Sequence, residues 1–358
     1  MTVNPSCVMD FCTTFLSRRG IDQNAYDYIN LGMQLLNSAA PYIVQSIGTQ
    51  KPPPRVDTKA AFESAEGARG ARLWDAPPLP GGTVRALFIG INYYGTSAKL
   101  SGCCNDVRQI LATLQKKRFP INEAVILVDE DNFPGRTDQP TRANIVRYLA
   151  WLVKDARPGD VLFLHYSGHG TQAKASGDSD EMYDQCVAPV DYERNGCIVD
   201  DDIHKILFSR LPCGVRLTAV FDCCHSGSIL DLPFTYVCPA DGGRTSSPRM
   251  KRIRQGNDVQ ADVMMISGCS DEQTSADVKN TAAFGTGTTG AGGAATQCLT
   301  HMLLNNENLS YGSLLANTRE MLKKKRFTQV PQLSASRAID LRCTFSLSHK
   351  FVEDPAVR

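Results

Sequence analysis

The stretch VRLTAVFDCCHSGS, residues 215–228, decides how the chain is read. Its first half is apolar and β-branched, the composition of a buried strand. The strand runs into Asp222, two adjacent cysteines (Cys223 and Cys224) and His225. Three chemistries compete for such an ending: a metal site, a redox pair or a cysteine nucleophile. Structural zinc sites usually pair cysteines as C-x2–4-C, and this chain contains no CxxC. Successive side chains on a strand point to opposite faces, so Cys223 and Cys224 do not easily share a metal. A tyrosine phosphatase would need an arginine six residues past its cysteine, where this sequence has Leu230.

The same grammar repeats on either side. VRALFIGINYY (84–94), AVILVDE (124–130), VLFLHYSGHG (161–170) and ADVMMISGCS (261–270) read as further strands. NDVRQILATLQKK (105–117), TRANIVRYLAWLVKDA (141–156) and DDIHKILFSRL (201–211) read as the helices between them. CVAPVDY (186–192) reads as an accessory strand, AATQCLTHMLLNN (294–306) and SYGSLLANTREMLKKKRF (310–327) as late helices, and RCTFSL (342–347) as a late strand. Near-continuous apolar strands alternating with amphipathic helices predict an α/β fold, a mostly parallel central sheet flanked by helices on both faces. No internal repeat is visible. The GTGTTG at 285–290 fits GxGxxG but follows no apolar strand, so it reads as a loop rather than a dinucleotide site.

The formal net charge of +1 over 358 residues gives no global attraction to nucleic acid or to an anionic membrane. Acidity is local: residues 178–202 hold nine Asp or Glu against the single Arg194. The 13 cysteines are odd in number and irregularly spaced, which fits a reducing cytosolic setting better than a disulfide framework. The first residues have no basic and apolar secretory pattern, Thr2 excludes myristoylation, and no stretch approaches the ~20 apolar residues of a membrane span. Residues 1–50 look helical in pieces, with Tyr28, Leu31, Leu35 and Leu36 on one face. Residues 51–82, with KPPPR and DAPPLPGG, read as a Pro- and Gly-rich linker. Two readings stay open for it, a flexible surface tether and a cleavable pro-segment.

Open α/β sheets place their sites outside the carboxyl ends of the strands. One strand here ends in YSGHGT, which offers His169, and another in FDCCHSGS. If the two are neighbours, His169 and a cysteine meet at one edge, the arrangement of an activated thiolate for acyl transfer. His225 is a poor base for Cys224, because neighbouring side chains diverge. Period-two geometry puts Asp222 on the face of Cys224 and Phe221 on that of Cys223. With Cys224 as nucleophile, a carboxylate lies beside the scissile bond and suits Lys or Arg in the substrate.

YSGHGT followed by DCCHSG resembles the paired His and Cys motifs of the metacaspases, relatives of the caspases. Cys224 lies 55 residues past His169, near the caspase-like spacing of roughly 50. Asp222 stands where the caspase signature has Gln. The resemblance covers about residues 84–348 and implies a caspase-like fold. It divides the chain into an N-terminal regulatory or pro segment (1–83) and a peptidase domain (84–358). The first 83 residues lack the long Pro/Gln-rich prodomain common in type I members.

The resemblance implies a calcium-dependent cysteine endopeptidase that cleaves protein or peptide substrates after Lys or Arg. His169 would be the base, Cys224 the nucleophile, and the N–H groups of Gly170 and Cys224 the oxyanion hole. Cys103, Asp106, Ser167 and Asp222 match the pocket for the basic side chain. Asp184, Asp200, Asp201 and Asp231 match the family's Ca2+ positions. Autocleavage is expected at Lys279 or in the 51–72 linker. The resemblance further implies a monomer that binds no nucleic acid and has no integral membrane segment. Its expected location is cytoplasmic, with recycling endosomes a compartment that members with a short N-terminal region visit.

Overall fold

The computed structural model describes residues 53–77, 79–174, 183–223, 228–237, 249–256, 258–268, 277–278, 292–306, 308–327 and 329–357. The amphipathic run expected over 1–50 lies outside them, as do Cys224, His225 and Lys279.

An eight-stranded sheet forms the centre, in the order β2-β1-β3-β7-β10-β13-β8-β9. Its parallel part comprises β1 (Val84–Gly90), β2 (Glu123–Val128), β3 (Val161–Ser167), β7 (Arg216–Asp222) and β10 (Asp262–Ser267). The strands β13 (Gln332–Ala335), β8 (Phe234–Val237) and β9 (Arg249–Arg252) extend it antiparallel. This is the mostly parallel sheet the apolar runs predict, and every residue of β3, β7 and β10 is buried. The late strand lies elsewhere than expected. Residues 342–347 make only an isolated bridge, Thr344 to Ser310, while Gln332–Ala335 pairs with β10. RCTFSL is apolar because Cys343, Phe345 and Leu347 pack against the core from outside the sheet.

The helices α1 (Thr58–Ser64), α3 (Arg142–Val153) and α5 (Asp200–Phe208) cover one face through Leu87, Ile89, Leu162 and Leu164. Opposite them, α2 (Cys103–Lys116), α6 (Ala294–Asn305) and α7 (Tyr311–Lys324) cover Ala86, Phe88 and Phe163. The chain leaves β1 through α2 to β2 on one side, then crosses through α3 to β3 on the other. The carboxyl ends of β1 and β3 therefore flank a topological switch point, where α/β sheets open a crevice. A smaller sheet of β4 (Gly170–Lys174), β5 (Tyr183–Val187) and β6 (Ile198–Val199) follows β3, and α4 (Tyr192–Asn195) is a single turn. The two-residue strands β11 (Asp277–Val278) and β12 (Gly292–Gly293) pair antiparallel just before α6.

The described part of the linker is not a loose tether. Asp57 caps α1 by accepting from the N–H groups of Lys59 and Ala60 at 2.9 and 3.1 Å. Ala61, Phe62, Ala65 and Ala68 are buried in the core shared with α3 and α5. Further on, Ala71 bridges Ala124 at the sheet edge and Trp74 Nε1 donates to the Phe119 carbonyl at 2.9 Å. Small and aromatic residues spaced among the charged ones bind this segment to the domain; its Pro and Gly content masks them.

Candidate active site

His169 follows the carboxyl end of β3 and is held through its backbone. Its N–H donates to the Tyr93 hydroxyl at 2.9 Å, while its carbonyl accepts from the Tyr166 hydroxyl at 2.8 Å and from the Ala188 N–H at 3.1 Å. Tyr93 in turn donates to the Ala188 carbonyl at 2.6 Å and lays its ring beside the imidazole, with centroids 4.7 Å apart. A Cβ on Gly168 would come within 2.8 Å of the Tyr166 hydroxyl and 3.0 Å of the Tyr93 hydroxyl, so this turn needs a glycine. The imidazole Nε2 lies 2.7 Å from the Ala98 carbonyl. A carbonyl only accepts, so Nε2 carries the proton and the neutral ring keeps its lone pair on Nδ1. Burial lowers the imidazole pKa, with the Ala98 carbonyl partly opposing. The result is a neutral, oriented imidazole at the switch point. Sequence reasoning singled out His169 but not Tyr93, Ala98 or Tyr166, which lie 71 to 76 residues upstream or within the strand's apolar run.

Of the four pocket residues expected from sequence, Asp106, Ser167 and Asp222 lie together, and Cys103 is three residues before Asp106 on α2. Ser167 pairs with Asp222 across β3 and β7, and both point to the face covered by α2 and α6. Ser167 Oγ donates to Asp106 Oδ2 at 2.7 Å. Cys103 is buried in the first turn of α2, its N–H bound to Asn92 Oδ1 at 2.9 Å. Two carboxylates, Asp106 and Asp222, are thereby enclosed at one level of the fold. Burial first, and the charge of Asp222 second, push the Asp106 pKa well above the usual carboxylate range. Hydrogen bonds from Ser167, Gly293 and Gln297 oppose that rise.

The N-terminal end of α6 supplies donors that the sequence reading missed. The Gly293 N–H lies 2.9 Å from each Asp106 oxygen, Gln297 Nε2 donates to Asp106 Oδ1 at 3.1 Å, and the Thr296 N–H donates to Asp222 Oδ2 at 2.7 Å. A Gly-rich run opening a helix is an anion-binding pattern. That signal was present in GAGGAATQ, eclipsed by the stronger motifs.

Cys223 is buried in the core with Phe221, on the face of β7 opposite Asp222. It is placed for packing rather than for the crevice. Cys224, the expected nucleophile and oxyanion donor, is the next residue and lies outside the described residues. Gly170, the other expected oxyanion donor, opens β4 opposite Val187.

The acidic positions separate into a group and a neighbour. Carboxylate oxygens of Asp200, Asp201 and Asp231 lie within 4.8 Å of one another. Asp184, buried on β5, is not one of the three, yet its charge helps to raise Asp200. Burial foremost, then Asp231, push the Asp200 pKa up to about 8. Three converging oxygen donors with unfavourable mutual repulsion fit a hard divalent cation such as Ca2+. Two arginines already border the group: Arg254 pairs with Asp231 at 2.9 Å and Arg55 with Asp201 at 3.1 Å. Arg55 also reaches Asp202 at 2.9 Å, and the Val56 N–H donates to Asp202 Oδ2 at 2.8 Å. Asp202 stands in the first turn of α5 beside Asp200 and Asp201 and is not one of the positions expected to bind Ca2+.

Among the described residues no helix is long and apolar enough to cross a membrane. Residues 84–233 match the family model described as "Metacaspase, peptidase C14 domain". The chain is 70% identical to Metacaspase-3 of Trypanosoma brucei brucei over 358 residues, covering all of both chains. It is 74% identical to Metacaspase-2 of the same organism over 332 residues, 93% of this chain and 96% of that one. It is also 53% identical to Inactive metacaspase-4 of that organism over 328 residues, 92% of this chain and 93% of that one. With these sequence matches joined to a caspase-like α/β sheet whose strand ends carry the paired His and Cys motifs, the chain belongs to the metacaspase family of cysteine peptidases.

Proposed function

We propose that the protein is a calcium-dependent cysteine endopeptidase that cleaves after Lys or Arg and processes itself. The observation that carries this reading is the buried Asp106–Asp222 pair, with Asp106 in the first turn of α2 and Asp222 at the end of β7, the strand beside the one that leads to His169. A substrate guanidinium or ammonium would neutralise that pair, whereas an acidic side chain would add a third negative charge.

In the proposed course His169 Nδ1 takes the Cys224 proton, and the thiolate attacks the scissile carbonyl carbon. The resulting oxyanion is received by the N–H groups of Gly170 and Cys224. The intermediate collapses, the leaving amine takes the proton from His169, and a thioester remains. Water then attacks the thioester as His169 accepts its proton, the C–S bond breaks to release the acid product, and the Cys224 thiolate takes the proton back from His169.

Asp184, Asp200, Asp201 and Asp231 would hold the Ca2+, whose charge, when bound, relieves the repulsion among these carboxylates. Autoprocessing is assigned to Lys279 or to a basic residue of the 51–72 linker. The protein is further proposed to act as a monomer in the cytoplasm, with endosome association in keeping with short-N-terminus relatives.

A fluorogenic Arg or Lys peptide, with and without Ca2+, tests the reading on wild type, Cys224→Ala and Cys223→Ala. Wild type and Cys223→Ala are expected to cleave it in Ca2+, and Cys224→Ala is not. Loss only in Cys223→Ala would reverse the cysteine assignment. Absence of cleavage in every sample would favour a non-catalytic scaffold. Cys224→Ala incubated with Ca2+ should stay full length; fragmentation equal to wild type would end the autoprocessing proposal.

A further inference from the structure

The reading of Asp106 and Asp222 as the basic-side-chain acids leaves a physical difficulty. Two carboxylates are shut into a region where Asp106 is 0% and Asp222 4% exposed. An ideal Cβ on Gly293 would lie 2.2 Å from Asp222 Oδ2 and 3.0 Å from Asp106 Oδ2, so both acids converge on the same glycine. Burial and the charge of Asp222 raise the Asp106 pKa, which weakens the charge that Asp106 can offer a substrate. The arginine of α2 is no help, because Arg108 pairs with Glu130.

The compensation comes from α6. Its N-terminal end carries partial positive charge, and its first free N–H groups point at the acids. The Gly293 N–H is shared between both oxygens of Asp106, so it fixes neither one strongly. Ser167 secures Oδ2, and Gln297 Nε2 secures Oδ1. Gln297 is itself fully buried. Its amide cannot titrate, so it donates to the carboxylate whatever the protonation state nearby. It also ties α6, which follows the Gly-rich stretch, to α2, where Asp106 is mounted.

We propose that Gln297 is a positioning residue for substrate specificity, whose side-chain amide holds Asp106 oriented toward the basic side chain of the substrate. This rests on the proposed specificity for Lys or Arg. It acts through Asp106 and has no role in bond breaking, so its removal should weaken recognition and spare the chemical steps.

The test uses the full-length protein in Ca2+, an Arg peptide for kinetics, and agmatine, a small guanidinium, as a binding probe read by calorimetry. Gln297→Met keeps the length and loses the amide. Gln297→Asn keeps an amide withdrawn by one methylene, and it serves if the Met protein folds poorly by thermal melt. Either should raise KM and the agmatine Kd about tenfold, the loss of one hydrogen bond to a charged group, with kcat within about twofold. Gln297→Glu, which adds a third carboxyl, should raise both further. Folded variants that bind agmatine as wild type does, or that lose kcat with KM unchanged, would overturn the proposal. Wild type with no agmatine affinity and no Arg-peptide cleavage would remove the specificity reading and this inference with it.

Discussion

Asp106 and Asp202 are both buried aspartates in the first turn of a helix, on opposite faces of one sheet. They are satisfied in opposite ways. Among the described residues, Asp106 receives the neutral donors Ser167, Gly293 and Gln297, and faces a second carboxylate, Asp222. Asp202 receives a cation, Arg55, together with the Val56 N–H. Neutral donors orient a charge without cancelling it, and so leave it to be neutralised by whatever cation arrives. An arginine cancels the charge on the spot. The first arrangement is that of a site, the second that of a clasp, here between the 53–57 segment and α5.

Gly293→Ala should have the largest effect, since its Cβ would press into both acids at once. The cleavage efficiency for an Arg peptide should fall about a thousandfold, in the range for disrupting buried charged partners. Agmatine binding should fall in parallel. Retention within a few-fold would show that the acids have slack, and the contrast with Asp202 would lose its basis.

Asp106→Asn follows, with about a hundredfold loss of cleavage efficiency. Its effect on stability should run the other way. Burial and Asp222 raise the Asp106 pKa, so the native state holds this proton more tightly than the unfolded chain does. The stability this contributes is full below the ordinary carboxylate range and is lost as pH rises through the raised value. The Asn protein should therefore melt higher than wild type at neutral pH, by about 1–2 kcal/mol, and the gain should shrink toward pH 4. Melts at several pH values in chelator check this. A loss of stability at neutral pH would mean that the neutral donors compensate Asp106 fully.

Asp202→Asn is the counterpart and should carry the opposite sign. It leaves Arg55 without its buried acceptor, at a cost of about 2 kcal/mol. Trypsin should then cut sooner at Arg55 or Lys59. An unchanged melt and an unchanged digestion would show that the clasp is incidental.

How much of this was legible in sequence follows from distance along the chain. The parallel strands announced themselves as unbroken apolar runs, and His169, Asp106 and Asp222 sat in compact motifs. The short antiparallel strands Phe234–Val237 and Arg249–Arg252 gave no such signal, because an edge strand with the burial pattern of RMKR looks like a loop. The 187- and 191-residue separations that bring Gly293 and Gln297 to Asp106 have no local trace. Nor does the Arg55–Asp202 contact, at a separation of 147 residues. His165, inside the strand that leads to His169, shows the converse. It is fully buried, and burial lowers its pKa to about 3. The difference lies in position relative to the strand end, which the flanking glycines of SGHG mark and a lone histidine does not.

Arg55→Gln should show the smallest effect on Ca2+ binding and makes the finest distinction. The Arg55–Asp201 pair is 38% and 55% exposed and contributes under ~1 kcal/mol, so any larger loss of stability in Arg55→Gln belongs to the buried Asp202 contact. Asp201, however, belongs to the three-carboxylate group, where Arg55 would compete with the proposed Ca2+. Calorimetry with Ca2+ should show affinity rising about two- to threefold in Arg55→Gln, the scale of one screened surface charge. Arg254→Gln should gain more, because its partner Asp231 is only 6% exposed and its pairing is less screened. Equal gains would mean that solvent levels the two arginines. No gain from either would place the cation away from Asp201 and Asp231, and would leave the clasp at Asp202 as the only work Arg55 does on this face.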